Sequence, residues 1–338
     1  MFKKIIICSV ISFIIYSFYC PVNKRPYLTI PKSDISYVFL EDNILLNSQV
    51  KNILTLDKYN NNNKKEKFRY FIKDALNDNT VIIERRSYGL WTTSDYNINN
   101  LFLVTNSKML EMPDEIFKNE SWPLYYPVRL KSSSVYYAIP DNKNNITIKS
   151  WNYKNGEINI ISQINNESFH NISDVELEDF DILDSNNMII LFREITEYIV
   201  TESEEKTVNK KYKKYIYYIK DGNVSLLVET EKAVDMLALN DRYIAYNDYL
   251  DSIILRDIKD GKSYNIRLPY IRKYLINDPV EYKVLNFLDD NKLFICISEF
   301  KKHINEESRN LLLDCNDSNF KLYRIPSSKS LFPCTDKL

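Results

Sequence analysis

Few residues in this chain could do acid–base chemistry near neutral pH. It has two histidines, His170 and His303, and histidine is the side chain whose charge changes in that range. They lie far apart in sequence, and neither stands in a Ser/His/Asp or metal-binding pattern. His170 follows Ser168-Phe169 and reads as a loop residue. The carboxylates Glu176, Glu178 and Asp179 could face a central channel, but acidic residues at such spacing are not specific to any reaction. Four glycines leave no room for a phosphate-cradling loop. Cys296, Cys315 and Cys334 lack zinc-ligand spacing. On these grounds no catalytic residue, no metal and no cofactor is assigned.

Residue types that dominate binding energy are better represented. Arg85-Arg86-Ser87-Tyr88-Gly89-Leu90-Trp91 starts a long stretch rich in arginine and aromatics, and Trp122, Tyr125 and Tyr126 follow. What positions such residues is a repeat. Leu40, Leu76, Leu130, Leu183, Leu239 and Leu288 each precede a short polar turn and a strand-forming run, at separations of 36, 54, 53, 56 and 49 residues. Leu239-Asn240-Asp241-Arg242 into Tyr243-Ile244-Ala245-Tyr246 is the clearest copy. A period of about 50 residues holding several short strands predicts a β-propeller.

Glycine placement agrees. Three of the four glycines stand in Lys154-Asn155-Gly156, Lys220-Asp221-Gly222 and Lys259-Asp260-Gly261, each between two strand-like runs. Asn-Gly and Asp-Gly favour two-residue hairpin turns, where both central residues need φ > 0. The 26 tyrosines and 16 phenylalanines favour strands. We therefore expect an all-β, six-bladed propeller with four-stranded blades over 34-327, the blades spanning 34-66, 67-115, 122-165, 174-230, 232-270 and 281-327. The first is the irregular one: Asn60 to Asn63 reads as a flexible loop, and the C-terminal strand would complete that blade. Residues 21-33 read as a linker and 328-338 as a C-terminal tail.

Residues 1-20 read as a signal peptide or membrane anchor. Lys3-Lys4 precede sixteen uncharged residues, Ile5 to Cys20, closed by Pro21. Sixteen is short of the roughly 20 that a spanning helix needs. Cys20 stands where a lipoprotein signal would be cut and is the lipidation candidate, although Tyr19 occupies a position where a small residue is expected. Lipid anchor, uncleaved anchor and ordinary secretion all stay open, and each places the rest in the cell envelope or on its extracellular face. There, a disulfide among the three C-terminal cysteines and free buried thiols are equal expectations.

Charge excludes one partner class. With 45 basic and 46 acidic residues the net charge is −1, without the concentrated basic face that nucleic acid requires. The cluster Lys210-Lys211-Tyr212-Lys213-Lys214 follows acidic Glu202-Ser203-Glu204-Glu205, which cancels its field.

The chain resembles the TolB-type six-bladed propellers across 34-327, at the level of the repeat, and best from Leu239 to Leu268. Asn240-Asp241 and Asp289-Asp290 stand where that family carries a Ser-Pro-Asp-Gly turn, so the resemblance bears on fold more than on function. The residues then suggest a membrane-tethered, extracytoplasmic binding protein for a protein or glycan partner, with Arg85, Arg86, Trp91, Trp122 and Tyr126 on a contact rim. The alternative is a propeller hydrolase or lyase using channel-facing carboxylates. Cys20→Ser is expected to abolish fatty-acid labelling of a lipoprotein. Unchanged membrane retention with an intact N-terminus would point to an uncleaved anchor instead.

Overall fold

The computed structural model describes residues 28–335 except 30–34, 42–43, 57–58, 61–62, 89–95, 107, 118–125, 142–144, 170–174, 203–204, 233, 249–251, 269–279, 290, 300–306, 317–319 and 328. Six antiparallel sheets follow one another along the chain. Blade two holds Asn63–Asn77, Thr80–Tyr88, Tyr96–Thr105 and Lys108–Glu111. Blade three holds Val128–Lys131, Ser134–Pro140, Ile146–Asn152 and Ile158–Ile164. Blade four holds Val175–Asp184, Asn187–Glu202, Glu205–Lys220 and Asn223–Thr230. Leu237–Leu239, Tyr243–Asn247, Ser252–Asp257 and Ser263–Arg267 make blade five, and Val280–Asp289, Lys292–Glu299, Glu307–Asp314 and Lys321–Ile325 make blade six. The first strands of consecutive blades touch one another around the centre, which defines a six-bladed propeller.

The ring closes through blade one. Its sheet runs Phe332–Pro333, Tyr37–Glu41, Ile44–Asn47, Asn52–Thr55 from centre to edge. The residues read as a tail thus supply the innermost strand, with Val38 opposite Phe332 and Tyr37 opposite Pro333. An open ring would leave a strand edge exposed, and pairing the two chain ends removes it. Leu40 consequently differs from the other five anchors: it ends a second-position strand. In the segment read as a linker, Leu28–Thr29 adds a parallel fifth strand outside blade six. Asn60 and Asn63, expected in a loop, pair with each other at the end of a short hairpin beside blade two.

Two rims follow from this connectivity. The turns between first and second strands share a rim with those between third and fourth. Across the blade boundary, Asn47 Nδ2 in the third–fourth turn of blade one donates to Asp78 in the first–second turn of blade two at 3.3 Å. We call this the leucine rim. The second–third hairpins and the inter-blade connections lie on the opposite, hairpin rim.

The leucine turns share a mechanism. The residue after the anchor is Asn77, Asp184, Asn240 or Asp289, and its side-chain oxygen accepts the backbone N–H two residues on at 2.7–3.0 Å. Short Asx side chains form such turns readily. The glycine turns lie on the same rim. Only Asp221-Gly222 is a two-residue hairpin, with φ of +50° and +77°. Gly156 and Gly261 instead close wider turns by donating to Asn152 and Asp257 carbonyls at 2.8 and 3.0 Å.

Apolar residues pack between neighbouring blades. Phe169, Phe192 and Tyr217 meet edge to face between blades three and four, at centroid distances of 5.0–6.0 Å, and the Tyr217 hydroxyl donates to the Phe169 carbonyl. Phe332 and Leu331 join a core that includes Ala75 and Val81 of blade two and Val284 and Phe294 of blade six. Phe332→Ala is therefore expected to cost about 3 kcal/mol of stability, read as a lowered denaturant midpoint. A loss below about 0.5 kcal/mol, the range of ordinary surface changes, would mean that the C-terminal strand does not close the ring.

Candidate functional site

The centre of the ring is where catalytic carboxylates would converge. Each innermost strand has one unpaired edge there, and its N–H groups need acceptors. Buried carboxylates on the preceding blade supply several of them. Asp74 accepts the Leu130 N–H at 2.8 Å, Asp179 the Leu237 N–H at 2.9 Å, and Asp181 the Leu239 N–H at 2.8 Å. Asn310, on the third strand of blade six, accepts the N–H of Leu331, the residue that leads into the closing strand, at 3.0 Å.

Cations from blade three complete the set. Arg129 donates to Asp179 at 2.5 Å and lies 3.9 Å from Asp181. Lys131 pairs with Asp181 at 2.8 Å and donates to the Ile182 carbonyl. Burial pushes Asp179 up to about 6, against the pull of Arg129 and the Leu237 N–H. Burial raises Asp74 too, again opposed by Arg129, while the three aspartates outweigh desolvation and raise Arg129. A cavity of about 20 Å³ remains beside Lys73, Asp74, Arg129, Met236 and Phe332, room for about one water molecule. Asp179 and its neighbours are thus committed to backbone and guanidinium partners.

The hairpin rim is built differently. Blade four extends beyond its neighbours as a two-stranded ribbon, in which residues 195–202 pair only with 205–212. Eight pairs at roughly 3.3 Å each make it about 26 Å long. Its base is fixed by ion pairs: Arg193 to Glu176 and Glu178, and Lys214 to Glu178 at 2.5 Å and Asp235 at 3.2 Å. Residues 193–202 and 205–214 are thus strand.

Arg85 and Arg86 lie inside the second strand of blade two rather than in the loop after it. The Arg85 guanidinium is sandwiched 4.8 Å from both the Phe68 and Phe102 rings. Arg86 grips the 1%-exposed Glu84 with two bonds of 2.7 and 2.8 Å, joined by Lys73 at 3.0 Å. Burial would raise Glu84, but Lys73 and Arg86 hold its carboxyl below the ordinary range. Tyr126 is half-buried toward the same rim and donates its N–H to the Ile116 carbonyl. Trp91, Trp122, Cys20, His170 and His303 lie outside the described residues. Cys296, Cys315 and Cys334 are in no disulfide among the described residues; the first two are buried and Cys334 is partly buried. Burial pushes Cys315 up to about 12.

Sequence reasoning singled out Asp179 and Glu178 and missed Asp74, Arg129, Lys131 and Asp181. Two signals carried them. Asp74 and Asp181 each stand two residues before a leucine anchor, and Arg129 and Lys131 alternate with Val128 and Leu130 in an inner strand. Among the described residues no group of His, Cys, Asp and Glu side chains could hold a metal ion.

No family model matches the chain, and no curated protein matches its sequence. Solved structures similar to it include a complex of KlAtg21 with the coiled coil of AgAtg16, at 10% identity over 89% of this chain and 99% of that chain, with a TM-score of 0.41. The N-terminal domain of Nup159 matches at 11% over 90% and 89%, with a TM-score of 0.38. A putative 6-phosphogluconolactonase from Bacteroides fragilis matches at 9% over 86% and 81%, with a TM-score of 0.32. Likeness at this level defines neither family nor activity.

The channel has a pH signature. An unfolded aspartate titrates near 3.9, roughly two units below Asp179 in the fold. Between about pH 4 and 6 the folded protein holds a proton that the unfolded chain releases, so this group's stabilisation falls as pH rises through that window. Asp179→Asn keeps an acceptor for the Leu237 N–H but removes the titration. It is expected to lower stability overall while abolishing that part of the pH slope, measured as melting temperature from pH 4 to 7. An unchanged slope would place the titration elsewhere.

Proposed function

We propose that the protein is a membrane-tethered, extracytoplasmic β-propeller that binds a protein or glycan partner through its rims. One observation carries the choice of binding over hydrolysis or lysis. The channel carboxylates Asp74, Asp179 and Asp181 are consumed by strand N–H groups, Arg129 and Lys131, and the cavity beside Asp74 and Arg129 among the described residues has room for about one water. A hydrolase or lyase would need at least one carboxylate within reach of a substrate pocket.

The hairpin rim supports the same reading. It presents the blade-four ribbon and the end of blade two that carries Arg85, Arg86 and the stretch leading to Trp91. Loops and hairpins on a rigid scaffold are where recognition concentrates. The anchor would be the segment from Lys3 to Cys20. Its charge pattern supports export and retention at the envelope, with a TolB-type ring as the finer assignment suggested by the repeat across 34-327, best from Leu239 to Leu268.

Two substitutions separate binding from folding. Arg86→Ala leaves buried Glu84 with Lys73 as its remaining ion-pair partner and is expected to cost about 2 kcal/mol of stability, measured by denaturant unfolding. An unchanged denaturant midpoint would mean that Arg86 does not hold Glu84. Trp91→Ala is expected to weaken a partner captured from the envelope by about 2 kcal/mol or more while melting temperature holds. A sharp fall in melting temperature with Trp91→Ala would make it an inter-blade core residue. Unchanged affinity would remove this rim as the contact.

A further inference from the structure

The leucine rim has a feature that the hairpin-rim reading does not use. A hollow of about 790 Å³ opens there where the repeated turns of blades two and three meet the end of the closing strand. Its walls are the turn after Leu76, the Thr105–Asn106 turn, Ser132 and Ser133, Tyr153 and Lys154, and Cys334. Ligand sites commonly measure roughly 300–1,000 Å³, so the volume suits several linked sugar rings or a molecule of that size. From this hollow we infer that the leucine rim binds a neutral oligosaccharide. The inference rests on the binding-protein reading and names a second contact surface and its ligand class.

The lining selects the class. It carries one carboxylate and one ammonium, Asp78 and Lys154, among amides and hydroxyls. A polyanion would meet a single cation, and an apolar ligand would meet mostly polar groups. Amide and hydroxyl side chains offer donors and acceptors side by side, as vicinal sugar hydroxyls do. Tyr153 adds a ring wall for the C–H face of a sugar, and Trp151 supports it edge to face at a 6.5 Å centroid distance.

The polar groups are held in place before any ligand arrives. The Asp78 carboxylate accepts from Asn47 Nδ2 at 3.3 Å and from Cys334 Sγ at 3.6 Å. The Asn79 carbonyl accepts the Asn106 N–H at 3.2 Å, joining the two turns of blade two. Asn106 and Ser132 adopt φ of +48° and +54°, a conformation costly for most side chains. Preorganised walls of this kind reduce what binding must spend on ordering them.

The test uses the full chain in a detergent with a non-sugar headgroup. Cellohexaose, hexa-N-acetylchitohexaose and maltohexaose are titrated by calorimetry, and the site is located by hydrogen–deuterium exchange. At least one sugar is expected to bind one to one, with protection confined to 76–80, 105–106, 132–133 and 153–154. Tyr153→Ala should weaken that binding by about tenfold, and Asn79→Trp, which fills the hollow from an exposed turn position, should abolish it with melting temperature unchanged. If Tyr153→Ala does not fold, Asn79→Trp alone decides. No heat with any of the three sugars overturns the proposal, as do binding that survives Asn79→Trp and protection confined to the hairpin rim. An envelope partner still captured by a sugar-blind protein would leave the binding-protein reading standing and remove only this site.

Discussion

A propeller must bury the edges of its innermost strands. Each blade presents one unpaired edge to the central channel, and every N–H buried there without an acceptor costs roughly 1–3 kcal/mol. Here the acceptors come from side chains on neighbouring strands: Asp74, Asp179, Asp181 and Asn310. Carboxylates in such a place are themselves expensive unless paired, which accounts for Arg129 and Lys131 on the intervening blade. The polar set stitches blade two to three, three to four and four to five. Apolar packing around Phe332 secures the seam between the chain ends.

The blades are unequal, and the inequality produces the rims. Blades two, four and six have long first strands with two register breaks each; blades three and five have short first strands without breaks in their pairing to the second. Bulges bend a strand and re-aim its side chains. In blade four they leave both Asp179 and Asp181 buried toward the centre, while Glu178, at the break, reaches Lys214 and Arg193. The blade-four ribbon is built instead from the second and third strands of that blade.

Much of this architecture could be read from residues. The leucine–Asx turns recur because Asn77, Asp184, Asn240 and Asp289 bond their own backbone two residues ahead, a local effect that sequence carries faithfully. The glycines mark third-to-fourth turns for the same reason, although the width of those turns depends on hydrogen bonds to Asn152 and Asp257 that spacing does not announce. The central network was harder to see. Arg129 and Asp179 are fifty positions apart, and nothing local says that a charged inner-strand residue faces a channel rather than solvent. Arg85 and Arg86 read as rim contacts because arginine beside aromatics resembles a hot spot, and they also have partners within the blade. Their partners Phe68, Phe102 and Glu84 become visible only once the register is known.

Native-state hydrogen exchange at four amides tests the central stitching most directly. The N–H groups of Leu130, Leu237, Leu239 and Leu331 belong to first-strand edges or to the chain entering the closing strand, where a propeller without side-chain acceptors would leave them exposed to channel water. Held by Asp74, Asp179, Asp181 and Asn310, they should exchange only through global unfolding, with the same denaturant dependence as core amides such as Ile190 and Ile295. Rapid exchange at these four positions, with those core amides still protected, would contradict the account.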